Sequence, residues 1–329
     1  MSFPVIRPRR LRRTPLLRGT VRETTLAPSN LVLPLFVADG IDSPVPIGSL
    51  PGHCHHTVES AVLEAEEAAR LGIPMVLLFG LPAAKDAEGS SAWAADGAVQ
   101  RATRAIKERL GDGILVATDL CLCEYTDHGH CGILHGQAVD NDATLDAYAR
   151  VALSQAEAGA DVIAPSGMMD GQVGVIRQVL DGDRFGDTPI LAYSAKMASA
   201  FYGPFRDAAG STPAFGDRRA YQMDGANLTE ALREVQLDLD EGADMVMVKP
   251  AGPYLDVIAA VADMADVPVA AYQVSGEFAM ITAAAERGWI DRDAATMESL
   301  VSIRRAGARL VITYLAKDAV RILNQPRSS

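Results

Sequence analysis

The sequence predicts an α/β fold, a (β/α)8 TIM barrel with an extended N-terminal arm, and three observations lead there. Short apolar runs recur eight times between residues 31 and 315, separated by stretches of helical periodicity. The length of 329 residues suits one barrel, a fold that commonly outgrows the usual domain size. A composition that is 49% hydrophobic but only 5% aromatic, with 28 glycines, suits helices packed closely on a sheet. The competing fold, an open doubly wound sheet, usually carries a glycine-rich phosphate turn after its first strand. Leu35-Phe-Val-Ala-Asp-Gly-Ile offers none.

Residues 1–29 are expected to form the arm and 30–329 the catalytic barrel. The first 22 residues hold seven arginines (Arg7, Arg9, Arg10, Arg12, Arg13, Arg18 and Arg22) and no acid. Prolines at positions 4, 8 and 15 oppose an amphipathic targeting helix. Packing on an acidic neighbouring subunit is therefore favoured over a transit peptide or a nucleic-acid arm. The eight strands are expected over 31–37, 75–80, 114–120, 162–166, 190–195, 245–249, 267–274 and 310–315. Amphipathic stretches such as 58–71, 145–158 and 228–241 supply the helices between them. No apolar run approaches the roughly 18 residues of a membrane span and no signal-peptide core follows the N-terminal charges, so a soluble, cytoplasmic protein is expected. A net charge of −12 argues against a nucleic-acid surface on the barrel.

The sixth strand, Met245-Val-Met-Val-Lys249, must end at Pro250, which cannot donate to a ladder. Lys249 thus stands at the rim of a buried sheet, where lost hydration makes a neutral, nucleophilic amine accessible near pH 7. The fifth strand runs in the same way into Lys196. Only five of the 30 basic residues are lysine, and an arginine cannot form an imine. Strand-end lysines also simply reach solvent, and for either one alone that reading stays open. The third strand runs through Asp119 into a loop that holds Cys121, Cys123 and Cys131 with His128 and His130. Four cysteines are too few for a disulfide scaffold, and clustered thiolates suit zinc. Three sulfurs would leave a catalytic position open, whereas a histidine would close a structural site. His53-Cys54-His55-His56 lies just before the first long helix, lacks a carboxylate or a buried setting, and is expected to be a solvated loop. The long connection after the fifth strand, 197–225, is expected to be a lid.

Together these segments resemble the porphobilinogen synthase (5-aminolevulinate dehydratase) family over nearly the whole chain. The resemblance is carried by Arg7-Pro-Arg-Arg-Leu-Arg, Asn30-Leu-Val-Leu-Pro-Leu-Phe-Val, Asp119-Leu-Cys-Leu-Cys-Glu-Tyr-Thr and His128-Gly-His-Cys-Gly. It continues through Asp140-Asn-Asp-Ala-Thr-Leu, Ala164-Pro-Ser, Met169-Asp-Gly-Gln-Val, Ser199-Ala-Phe-Tyr-Gly-Pro-Phe-Arg and Gly216-Asp-Arg-Arg-Ala-Tyr-Gln-Met, and ends with Met247-Val-Lys-Pro-Ala-Gly and Ala271-Tyr-Gln-Val-Ser-Gly-Glu. Each piece is weak alone, and their joint order is specific.

The resemblance implies condensation of two 5-aminolevulinate molecules to porphobilinogen with loss of two waters, in tetrapyrrole (haem) biosynthesis. It implies Schiff bases on Lys249 for the propionate-side substrate and on Lys196 for the acetate-side one. Arg206, Arg218 and Gln222 would bind one carboxylate, and Ser275 and Tyr314 the other. With all three cysteine positions filled, the zinc form is implied, Asp119 handling protons beside the ion. Glu234 would hold an allosteric magnesium at a subunit interface, and arm-swapped dimers would build a homo-octamer. A class I aldolase would need one such lysine and no tri-cysteine loop. A zinc-containing nucleic-acid binder conflicts with the acidic barrel.

Overall fold

The computed structural model describes residues 5–325. Eight parallel strands form the barrel: β1 (Leu31–Ala38), β2 (Met75–Leu81), β3 (Leu115–Leu120), β4 (Val162–Pro165), β5 (Leu191–Lys196), β6 (Met245–Lys249), β7 (Val269–Gln273) and β8 (Leu310–Thr313). Their order around the sheet is β4-β3-β2-β1-β8-β7-β6-β5. The Ile163–Ile190 bridge then joins β4 to the start of β5, with the Ile163 amide donating to Pro189 O at 3.0 Å. Every strand therefore has two neighbours, which excludes the open doubly wound sheet.

All eight expected strands are present, with ends moved by one or two residues. Runs such as Met75-Val-Leu-Leu-Phe are buried throughout because one face meets the barrel interior and the other the helices. Val32, Phe36, Leu77, Phe79, Tyr193, Met247, Tyr272 and Ile312 fill the interior. Small residues such as Ala192, Ala195, Ala271 and Ala316 lie in the layer between sheet and helices, which explains the low aromatic content. Helices Val58–Arg70 and Leu228–Asp240 fall where the periodicity puts them. The helix expected over 145–158 starts earlier, at Asn141, because the Asp140 carboxylate caps it by accepting from the Ala143 amide at 3.1 Å.

One departure matters for the site. Cys54–His56 is not a solvated loop. It is a short strand paired with β1 (Phe36 beside His55), with His56 buried and His53 edge-on to the rings of Phe278 and Tyr314 at 5.4 and 5.3 Å. β-Pairing at the barrel mouth outweighed the polarity of the run. The connection after β5 contains a short helix, Gly203–Ala208. Of the arm expected over 1–29, residues 1–4 lie outside the described residues. The turn Pro8–Arg12 and the helix Pro15–Thr20 bury none of their side chains.

Candidate active site

Lys249 and Lys196 end neighbouring strands and are register partners. That pairing depends on a β-bulge. Val246 pairs with Ala192, but Val248 pairs with Ala195, so β5 spends one residue more than β6. Ala192 and Ala195 both face the helices while Tyr193 faces inward; strict alternation would have turned Lys196 outward. Both ammonium groups thereby enter one small cavity, lined also by Phe79, Cys123, Glu124, Ser166, Tyr202, Phe205 and Arg218.

Lys249 is wrapped in aromatic rings. Its Nζ lies 4.4 Å from the ring centre of Tyr272, 4.9 Å from Tyr193, 5.2 Å from Phe205 and 5.5 Å from Tyr202. Burial, with the charge of Lys196 second, lowers its pKa to about 7. The neutral amine that imine formation needs is thus abundant at neutral pH. Lys196 Nζ donates to Ser166 O, and Ser166 Oγ donates to Asp119 Oδ2 at 3.0 Å. Burial, and then Glu124, raises Asp119 to about 7, with the two lysines pulling it back. Burial likewise raises Glu124, to about 8. Asp119 thus accepts from the Ser166 hydroxyl while the Ser166 carbonyl accepts from Lys196, which ties the acid and the amine to one residue.

The three cysteines cluster beside this cavity. Cys121, Cys123 and Cys131 are buried, their sulfurs lie within 4.8 Å of one another, and Cys121 Sγ is 3.5 Å from Cys123 Sγ. Hydrogen bonds from Cys121 and Cys123 hold the Cys131 thiol well below its ordinary pKa, while burial pushes Cys121 up. The loop is held from behind, because Tyr148 OH donates to Cys131 O at 2.7 Å and Thr126 Oγ1 to His130 O at 2.9 Å. Neither histidine joins the sulfurs. His130 is engaged through its two ring nitrogens by Tyr221 OH and Phe215 O, and His128 by Ala87 O and the His130 amide. Among the described residues, no other group of three histidine, cysteine or acidic side chains comes this close.

Arg218 is buried at the cavity wall, where Nη2 donates to Gly129 O at 2.8 Å and to Ser211 O while Nε finds no partner. Arg206, on the helix Gly203–Ala208, also keeps an unpartnered, buried Nε. Burial and the neighbouring Arg218 charge lower its pKa. Ser275 Oγ accepts from the Phe205 amide at 2.9 Å and donates to Phe201 O at 3.3 Å. Tyr314 OH accepts from Tyr272 OH at 3.2 Å. Gln222 and Glu234 line a second cleft of about 540 Å³ with Asp170 and Glu230; Gln222 stays close to Lys196, since the amide of the next residue, Met223, donates to Lys196 O at 3.2 Å. Gln222 is buried with both amide atoms unpartnered. Burial, reinforced by Asp170 and Glu230, raises the pKa of Glu234.

Sequence reasoning missed Glu124, Ser166 and the aromatic cage. Ser166 directly follows β4 and Glu124 directly follows Cys123, so a strand end and the cysteine run were the available signals.

The family model for delta-aminolevulinic acid dehydratase matches residues 5–322. The chain belongs to the delta-aminolevulinic acid dehydratase family. The dehydratase of Streptomyces coelicolor is 58% identical over 325 residues, 98% of each chain. That of Mycobacterium tuberculosis is 56% identical over 321 residues, 97% of each chain. The crystal structure of the dehydratase from Toxoplasma gondii, in complex with the reaction product porphobilinogen, superposes with a TM-score of 0.93 at 44% identity, covering 96% of this chain and 91% of that one. The (β/α)8 dehydratase barrel expected from the sequence is thus the fold of this chain.

Proposed function

We propose that this chain is a porphobilinogen synthase, a lyase that condenses two molecules of 5-aminolevulinate with loss of two waters. One observation carries the reading: two buried lysines, opposite one another on adjacent strands, share a cavity with a thiol cluster and an arginine. Each amine adds to a substrate ketone, and each carbinolamine loses its oxygen as water to give an imine. C–C and C–N bond formation between the substrates then releases both lysines as amines, so the two ketone oxygens account for the two waters. Asp119, held in place by the Ser166 hydroxyl, would hold and move protons beside Lys196. Arg206 and Arg218, with Gln222 near them in sequence, would fix one carboxylate, and Ser275 and Tyr314 the other.

Three buried soft donors within 4.8 Å fit zinc and leave one coordination position open, which supports the zinc form. Zinc there would polarise the oxygen of the second substrate. Cys121, Cys123 and Cys131 would hold it, and Glu124 and Arg218 frame the same cavity wall. Glu234 lines an acidic cleft with Asp170 and Glu230, and a largely hydrated magnesium there would favour the active oligomer. Val5, Ile6, Leu11 and Leu16 are exposed on the arm, which supports packing on a neighbouring subunit in a homo-octamer. No helix among the described residues is long and apolar enough to cross a membrane, and unpaired cysteines support a reducing, cytoplasmic setting. A colorimetric assay for porphobilinogen from 5-aminolevulinate, with and without a zinc chelator, tests the reading. No product under either condition would sink it.

A further inference from the structure

The histidine run before the first long helix takes no part in the chemistry above, yet it touches the lid. The helix Gly203–Ala208 carries Arg206 and inserts Phe205 between Phe36 and Phe79, at ring distances of 5.7 and 5.1 Å, and over Lys249. So short a helix must find partners for its last carbonyls. Its own chain meets three of them: Phe205 O accepts from Ala209 N, Arg206 O from Ser211 N and Asp207 O from Gly210 N, at 2.8, 3.0 and 3.3 Å. The next ones are met from elsewhere. His55 Nε2 lies 2.6 Å from Ala208 O, and because a carbonyl only accepts, Nε2 carries the proton. Lys85 Nζ donates to Gly210 O at 2.6 Å. Ser49 Oγ adds a bond to Pro204 O at 3.0 Å.

The two donors come from different segments, a short strand and a loop, each tied to the barrel. His55 is fixed by pairing with Phe36 of β1 and packs edge-on against its ring at 6.2 Å. Lys85 follows β2 and precedes Asp86, which bridges to Thr126 in the cysteine loop. We propose that His55 and Lys85 are positioning residues of this reaction, a two-point latch that holds the lid helix by its carbonyl end and so seats Phe205 over Lys249 and Arg206 beside Arg218. The latch rests on the reading that Arg206 and Arg218 bind a substrate carboxylate. It explains why a histidine-rich run forms a strand at the barrel mouth.

Amide hydrogen exchange over residues 203–211 of the full chain, read beside steady-state turnover of 5-aminolevulinate, tests the latch. His55→Leu and Lys85→Met are each expected to speed lid exchange by roughly three- to tenfold, the range a net hydrogen bond supports, and to raise KM while kcat nearly holds. His55→Gln and Lys85→Arg keep a donor and are expected to restore both. Unchanged exchange in the two loss variants overturns the latch, as does a donor-keeping variant no better than its loss variant. Should His55→Leu fail to fold, Lys85→Met decides, since it lies on a separate loop. Exchange needs no substrate, so a chain that makes no porphobilinogen sinks the functional reading and leaves the lid result standing.

Discussion

Lys196 stands directly across from Lys249 because β5 carries one residue more than β6 between Ala192 and Ala195. The bulge turns both amines inward, and their mutual repulsion adds to burial in lowering Lys249 to about 7. Lys196 thus tunes Lys249.

Removing one amine should therefore change the other. In Lys196→Met, Lys249 loses a neighbouring charge but keeps its burial, so its pKa is expected to rise above about 7 yet stay below 10.5. The pH at which borohydride trapping of a 5-aminolevulinate imine reaches half its maximum should move upward. A midpoint unmoved between wild type and variant contradicts the coupling.

A functional amine held dry should cost stability. The folded pKa of Lys249 lies below its unfolded value, so the unfolded chain binds more protons between about pH 7 and 10.5, and stability rises with pH across that window. The penalty is fully present below about pH 7. Lys249→Met is expected to abolish turnover and raise Tm by several degrees at pH 6, with the gain shrinking toward pH 10. Thermal unfolding of both proteins at the two pH values checks this; a variant less stable than wild type at pH 6 contradicts it.

The thiol cluster yields a metal prediction. Cys123→Ala leaves two sulfurs, too few for a closed tetrahedral shell without new ligands. The variant is expected to fold, to bind less than a tenth as much zinc after dialysis, and to lose most turnover. Metal content by mass spectrometry beside circular dichroism reads both. Full activity in metal-free buffer would remove zinc from the mechanism.

Gly167 shows how tightly the site is supported from behind. A Cβ there would run into the Tyr148 ring, whose hydroxyl holds Cys131 O at 2.7 Å. Gly167→Ala is expected to cost roughly 1–3 kcal/mol in urea unfolding, as overpacking does, and to weaken zinc retention along with it. Stability lost with metal binding intact would uncouple Tyr148 from the cluster.

Much of this was legible in the sequence, for physical reasons. Buried parallel strands announce themselves as unbroken apolar runs, and Pro250 marks where one must stop. Lys249, Lys196 and the cysteines were visible because charged or thiol groups at such strand ends are conspicuous. The bulge was not, since a strand buried on both faces shows no alternation from which a slipped residue could be detected. Cys54–His56 was misread for a related reason: its polarity reflects partners contributed by β1 and the helix Gly203–Ala208, distant in sequence.

The most direct test is borohydride reduction of the enzyme with 5-aminolevulinate at pH 7.5, followed by intact-mass and peptide mapping. The expected result is a covalent adduct of one reduced imine on Lys249, absent from Lys249→Met. No adduct, or one on Lys85, Lys107 or Lys317 while Lys249 stays free, would contradict the assignment of that buried amine as the substrate-capturing group.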